Sequence, residues 1–252
     1  MPPPSITLYD VPSLTPEAWS PNIWRIRLIL NYKRLPYRTA WVEFSDVERV
    51  LRSINAPPTA ISRDGRPLYA LPAIVVPQHS SGRPIVLTNA STIAEYLEAA
   101  FPARPIFPDG SKAMQSVFVQ YLHDIVLQPL LAVMVPLTHM RLPAHVQAQF
   151  RGPPPASLPG YLTPGPQREQ AWVAVKEKLD LLAAMLDKNV GSDGDGVVAM
   201  GRELTYADFA VCGVLIWVER VAPHDGWARM RQWSGGRWAR LWERCREYMD
   251  VL

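Results

Sequence analysis

Ser20 and Pro21 head the run WSPNIWRIRLILNYKR (residues 19–34), and their types fit the start of a helix. A serine hydroxyl at that point can accept a hydrogen bond from an unpartnered backbone N–H. Proline at the first helical position loses nothing, because its missing N–H would go unpaired there. The same helix end carries partial positive charge and free donors. The hydroxyl is therefore equally well sited to stabilise an anion such as a thiolate. From the residues alone both roles stand open, a plain cap and an anion-stabilising group.

The helix that would position this serine has Ile23, Trp24, Ile26, Leu28, Ile29, Leu30 and Tyr32. At about 100° per residue these cover most of its circumference, and only Arg25, Arg27, Asn31 and Lys33 interrupt them. A helix so apolar is expected to be buried. Strands are expected at Ile6–Tyr9 and Tyr37–Phe44, giving a parallel strand–helix–strand unit, with a short helix over 46–54 and a loop over 55–69. Leu71–Val76 and Arg83–Leu87 flank Ser80-Ser81-Gly82 as a hairpin. Asn89 then caps a helix with Ile93, Tyr96, Leu97 and Ala100 on one face.

Pro102, Pro105 and Pro108-Asp109-Gly110 break this pattern. Beyond them the expectation is helical throughout: a long stretch over 114–135 bent near Pro129, a mostly irregular Pro-rich segment over 136–166, and a helix over 167–189. A loop at 191–196 precedes Thr205-Tyr206-Ala207-Asp208, a capping box opening an apolar helix to Val221. One or more helices lie within 233–250. The organisation reads as an α/β unit over residues 1–102, a linker over 103–110 and an all-helical unit over 111–252.

Bulk properties exclude several classes. The 252 residues are 48% hydrophobic, enough for one large core or two smaller ones. A net charge of +3 with scattered basic residues argues against nucleic acid or an anionic membrane as a partner. Cys212 and Cys245 have no disulfide-framework or metal-site spacing, so no metal is expected and a reducing compartment fits. The start MPPPSITLYD has no signal-peptide pattern, and the apolar runs are too short to span a bilayer. The expected location is cytoplasmic.

An α/β unit, a proline-broken linker and an all-helical unit in this order resemble the glutathione transferases. Leu71-Pro72-Ala73-Ile74 resembles their cis-proline segment. Thr88–Leu97 (TNASTIAEYL) is similar to their acidic/Ser-x-x-I-x-x-Y-L helix start, and Gly201 with Leu204–Phe209 to their capping box. SPNIWRIRLILNYKRLPY and YRTAWVEFSDVE resemble the fungal etherase-related class, which has a serine-type active site. The resemblance implies a thioredoxin-like α/β N-terminal domain followed by an all-α helical bundle, with glutathione as co-substrate and a homodimeric assembly.

On this resemblance Ser20 is the catalytic residue, stabilising the glutathione thiolate. An unperturbed thiol, with a pKa of about 8.5, is mostly protonated at neutral pH. Leu71, before a cis Pro72, would pair with the cysteinyl backbone, and Asn89 and Ala90 would face the γ-glutamyl end. Here the chain departs from the family: Asn89-Ala90 stands where an acidic residue and serine are usual. Loss of a charge-assisted hydrogen bond is worth roughly 1.5–3 kcal/mol, so weakened glutathione affinity is expected. Ser91 is expected to turn away by about 100°.

Asn22, Phe118 and Tyr121 are expected to line the hydrophobic-substrate site between the two units, and His123 to make a local hydrogen bond. The leading expectation is conjugation or thiol-dependent cleavage of hydrophobic aromatic electrophiles, with aryl-ether cleavage or thiol transfer within reach. The alternative is a ligandin, a weakly catalytic or non-catalytic carrier of aromatic or polyphenolic molecules, and a third is an interaction module that has lost both ligands.

Overall fold

A computed structural model describes residues 5–13, 18–78, 82–149, 162–191 and 194–252. The tip expected at Ser80-Ser81-Gly82 lies partly outside these residues, as do positions 150–161 of the Pro-rich segment.

Four strands form a mixed sheet in the order β2-β1-β5-β6: β1 (Ile6–Asp10), β2 (Tyr37–Trp41), β5 (Ala73–Val76) and β6 (Ile85–Thr88). β1 and β2 are parallel, with Leu8 opposite Thr39, and α1 (Pro21–Tyr32) connects them. β5 runs antiparallel to both β1 and β6. After α2 (Val47–Ser53), the stretch 55–69 is not wholly loop. It contains a small hairpin of β3 (Ala60–Ile61) and β4 (Pro67–Leu68). α3 (Ala90–Ala100) returns against the sheet and α1. The outer edge of β2 is partly covered by the C-terminal tail, where Thr39 N–H donates to Leu252 O at 2.8 Å, which satisfies one group of an otherwise unpaired edge.

α1 is buried along nearly its whole length, including its basic residues. Arg27 is fully buried and ion-paired to Asp10 at 2.7 Å. Lys33 reaches the Phe101, Ala103 and Arg104 carbonyls at 2.8, 3.4 and 3.2 Å and pairs with Glu98 at 2.6 Å. Glu98 in turn accepts the Ile106 and Phe107 N–H groups. The charges that broke the apolar pattern of the sequence thus tie the helix to β1 and to the connection 101–111, which holds no regular element.

The helical unit follows. The expected long helix is two: α4 (Lys112–Tyr121) and α5 (Gln128–His139), bent by 71° and joined by a π-helical turn over Leu122–Val126. Pro129 lies in the first turn of α5, where a missing N–H costs nothing, while α5 continues through Pro136. Together with α6 (Ala144–Gln149) this makes the start of the Pro-rich segment helical rather than irregular. α7 (Pro166–Leu186) comes next, and a two-residue pairing of β7 (Val190–Gly191) with β8 (Gly194–Asp195) occupies the expected loop. α8 (Tyr206–Val221), α9 (Ala228–Met230) and α10 (Arg237–Cys245) complete the chain.

α8 is the central helix of the unit, buried over most of its length. Its capping box is formed: Asp208 accepts the Thr205 N–H at 2.9 Å and the Ala199 N–H at 2.6 Å. α8 packs across α1 at Gly213, where a Cβ would come within 2.5 Å of Pro21 O and 3.3 Å of Arg25 N. That contact seats the first turn of α1 directly on the helical unit. Among the described residues no single helix is long and apolar enough to cross a membrane.

Candidate active site at the head of α1

Ser20 occupies the N-cap position of α1, with extended backbone (φ −64°, ψ 122°) and Pro21 as the first helical residue. Its carbonyl accepts the Trp24 N–H at 2.9 Å, the first helical hydrogen bond. The Trp24 indole N–H fixes the preceding turn by donating to Ala18 O at 2.8 Å. The Ser20 hydroxyl, however, makes no capping bond, and no acidic residue stands in the first turn. An N-cap serine normally spends its oxygen on N2 or N3. Here the half-buried hydroxyl is left for another partner at the positive end of a buried helix.

Two clefts meet beside it, sharing Ala70 and Leu71. The cleft of about 340 Å³ is bordered by Ser20 with Trp19, Phe44, Glu48 and Tyr69. The Tyr69 ring is covered by the Arg52 guanidinium, 4.5 Å from its centroid. The other, of about 370 Å³, is bordered by Leu71-Pro72, Asn89-Ala90-Ser91, Asn22 and Arg25, and by Val119, Gln120, His123 and Asp124 from the helical unit. The Leu71–Pro72 peptide bond is cis. The ladder between β5 and its neighbours begins at Ala73, so the Leu71 backbone lies outside it.

Asn89 caps α3 from a left-handed backbone conformation (φ 70°), which asparagine tolerates better than most residues. Its Oδ1 accepts the Ser91 N–H at 2.9 Å. Ser91 does not turn away from the cleft, as helical spacing alone implied. The cleft wraps around the helix start, so all three residues 89–91 border it, and the Ser91 hydroxyl lies 2.9 Å from the Tyr206 hydroxyl of α8. Tyr206 also accepts a hydrogen bond from Arg25 at 3.1 Å, and Arg25 donates to Asn22 Oδ1 at 2.9 Å. A polar chain thus joins α1, α8 and α3 beneath the cleft.

The structure therefore brings Asn22, Leu71, Pro72, Asn89 and Ala90 to one cleft and places Ser20 with Leu71 on the adjoining one. Phe118 and Tyr121 line neither; both are partly buried against the core. The wall from the helical unit is made instead by residues 119, 120, 123 and 124. Val119 with His123 and Gln120 with Asp124 are i, i+4 pairs and so share one face as the chain passes from α4 into the π-helical turn. His123 Nδ1 lies 3.0 Å from Asp124 Oδ1. His123, then Gln120, hold the Asp124 carboxyl below the usual carboxylate range. Arg25, Gln120 and Asp124 were not singled out in the sequence. The i, i+3 spacing of Asn22 and Arg25 was the one visible signal for the first of them.

Cys212 and Cys245 are both buried in the helical unit, and the Cys212 thiol and burial push Cys245 well above an ordinary thiol. Neither borders either of the two clefts. Among the described residues no group of three or more His, Cys, Asp or Glu could hold a metal ion.

A mixed sheet with α1 and α3 against it, a cis-proline at the start of β5 and a helical unit behind α1 define the glutathione S-transferase fold, an α/β thioredoxin-like domain followed by a helical domain. The chain belongs to the glutathione S-transferase family: residues 113–248 match its C-terminal domain and residues 19–100 its N-terminal domain. It is similar to the glutathione S-transferase CsGST63524 of Ceriporiopsis subvermispora, solved in complex with glutathione. That likeness is 30% identity over 98% of this chain and 99% of the other, with a TM-score of 0.87. Glutathione transferase GSTFuA3 from Phanerochaete chrysosporium is 32% identical over 98% of each chain, with a TM-score of 0.86. The glutathione S-transferase-like protein ustS of Aspergillus flavus is 24% identical over 94% of this chain and 87% of its own length.

Proposed function

We propose that the protein is a glutathione transferase of the serine-type, etherase-related class, acting on hydrophobic aromatic electrophiles in the cytoplasm as a homodimer. The observation that carries this reading is the Ser20 hydroxyl, uncommitted to its helix and standing beside open space at a positive helix end. Glutathione would lie across both clefts, its γ-glutamyl end at Asn89-Ala90 and its cysteinyl backbone against Leu71-Pro72, with the sulfur turned to Ser20. There the hydroxyl donates to the thiolate, and the thiol proton leaves to solvent. The sulfur attacks an electrophilic carbon, a C–S bond forms, and the leaving group departs with its electron pair; in an aryl ether that group is an aryloxide. The aromatic side chains Trp19, Phe44 and Tyr69 offer faces for a planar substrate. The division into units 1–102 and 111–252 joined by 103–110 is part of the same reading, since the cleft at Asn89-Ala90 has walls from both units while the Ser20 cleft lies within the first.

Removing a hydrogen bond to an anion costs roughly 1.5–3 kcal/mol, about ten- to a hundredfold in rate. Ser20→Ala should therefore lower turnover of a generic aryl halide by at least about tenfold, with the melting temperature unchanged. Equal turnover in the variant would remove Ser20 from the mechanism. Sedimentation as a monomer at micromolar concentration would count against the dimer.

Asn89-Ala90 favours a second reading, a ligandin for aromatic or polyphenolic molecules, because the family's acidic group is missing there. Tight polyphenol binding by dye displacement, with no heat on titration of glutathione, would select that reading.

A further inference from the structure

The cleft bordered by Ala90 carries a positive charge that the fold leaves uncompensated. Arg25 is only 8% exposed, and its guanidinium sits 5.7 Å from the Tyr206 ring centroid. It donates to the Tyr206 hydroxyl and to Asn22 Oδ1, both neutral, and its buried Nε has no partner. Among the described residues no carboxylate pairs with it. Arg27, Lys33 and Arg237, buried like it, each face one, at Asp10, Glu98 and Asp187. Keeping a cation out of water without a counter-ion is costly. Arg25 differs from those three in bordering an open cleft, where a ligand's anion would be its partner.

A negative charge borders the same cleft. Asp124, in the π-helical turn, is half exposed, and His123 and Gln120 hold its carboxylate in place. Neutral Asn89 and the start of α3 with the Ala90 N–H border the cleft as well. A ligand with a carboxylate alone would meet repulsion from Asp124, and one with an amine alone would meet repulsion from Arg25. A ligand with both groups on one carbon, the head of an α-amino acid, matches the pair.

We infer that Arg25 takes the α-carboxylate and Asp124 the α-ammonium of the γ-glutamyl group of glutathione, so that the charge absent at Asn89 is supplied by the helical unit. This rests on the glutathione reading above and names the residues that make the chain specific for it. The clamp assembles only when the two units are packed together, because Arg25 is oriented by Tyr206 of α8 and Asp124 follows α4.

The test is calorimetric titration of the full chain with three ligands: glutathione, its desamino analogue glutaryl-cysteinylglycine, and its decarboxy analogue 4-aminobutanoyl-cysteinylglycine. The wild-type protein should bind each analogue about tenfold or more weakly than glutathione. Asp124→Asn should weaken glutathione about tenfold and tighten the desamino analogue, whose carboxylate no longer meets a like charge. Arg25→Gln should weaken glutathione at least as much and tighten the decarboxy analogue, whose amine no longer meets a like charge, with Arg25→Lys recovering part of the loss on glutathione. If Arg25→Gln does not fold, the Asp124 arm and the wild-type ranking of the three ligands decide. Equal losses on glutathione and on the matching analogue, or no loss at all, would overturn the charge assignment while leaving glutathione binding intact. Absence of heat from all three ligands with the wild-type protein would overturn the glutathione reading as well.

Discussion

The residues that matter most to this molecule are charged groups placed where charge is expensive. Asp10 and Arg27 are both fully buried, and their ion pair at 2.7 Å sits between β1 and α1. Burial pushes the Asp10 carboxyl up despite the guanidinium beside it, which shows how strongly the site resists an unpaired charge. Arg27→Met would strand that carboxylate, and breaking one half of a buried pair typically costs about 3–5 kcal/mol. Urea unfolding should show a loss of that order; a change under about 1 kcal/mol would mean the pair is dispensable. Asp208 behaves differently with pH. Burial raises its carboxyl from 3.8 to about 6, although Thr205 and Ala199 donate to it. Between these two values the folded chain holds a proton that the unfolded chain has lost, so this group's contribution to stability rises as pH falls through 6 and is complete below about 4. From pH 7 to pH 5 the wild-type protein should gain about 1 kcal/mol relative to Asp208→Asn. Parallel pH profiles for the two proteins would rule the effect out.

At the scale of elements, the decisive contact is α8 across the first turn of α1. Gly213 permits it, because a methyl group there would lie 2.5 Å from the Pro21 carbonyl oxygen. That atom belongs to backbone and cannot swing aside as a flexible side chain would. Gly213→Ala should push the two helices apart at a cost of about 1–3 kcal/mol. Since Ser20 and Arg25 sit on that turn, it should also depress turnover and glutathione affinity together. A variant with lower melting temperature but full turnover would show that the site does not depend on this approach. Nothing in the residues around Gly213 marks it in the sequence, where it reads as a small interruption of an apolar helix. The start of α1 and the capping box of α8, by contrast, are legible, because a cap is a local arrangement of a few consecutive residues.

Over the whole molecule, one cluster of buried apolar residues runs from β1 through α1 and α8 to α10. The connection between the units is held on both sides. Lys33 and Glu98 grip it from the α/β unit, and Tyr206 N–H donates to Ile106 O at 2.9 Å from the helical one. With a shared core and an anchored connection, the two units should unfold together. Far-UV circular dichroism and tryptophan fluorescence should trace one coincident urea transition. Two separated midpoints would mean that the units are independently stable.

The amino-acid sequence by itself determined the four strands of the main sheet, the helices α1, α3, α7 and α8, the burial of α1 and the position of Ser20 at its head. Periodicity, proline placement and capping chemistry act within a few residues, and no distant partner is needed to express them. Tertiary structure alone decided which side chains share a cleft. The packing of the helical unit on the α/β unit put the face of Val119, Gln120, His123 and Asp124 on its wall in place of Phe118 and Tyr121. The approach of Tyr206 across the units gave Arg25 and Ser91 a common partner. A charge left without a counter-ion is a property of everything within a few ångströms of it, drawn here from three helices far apart in the chain, and no local pattern encodes that sum.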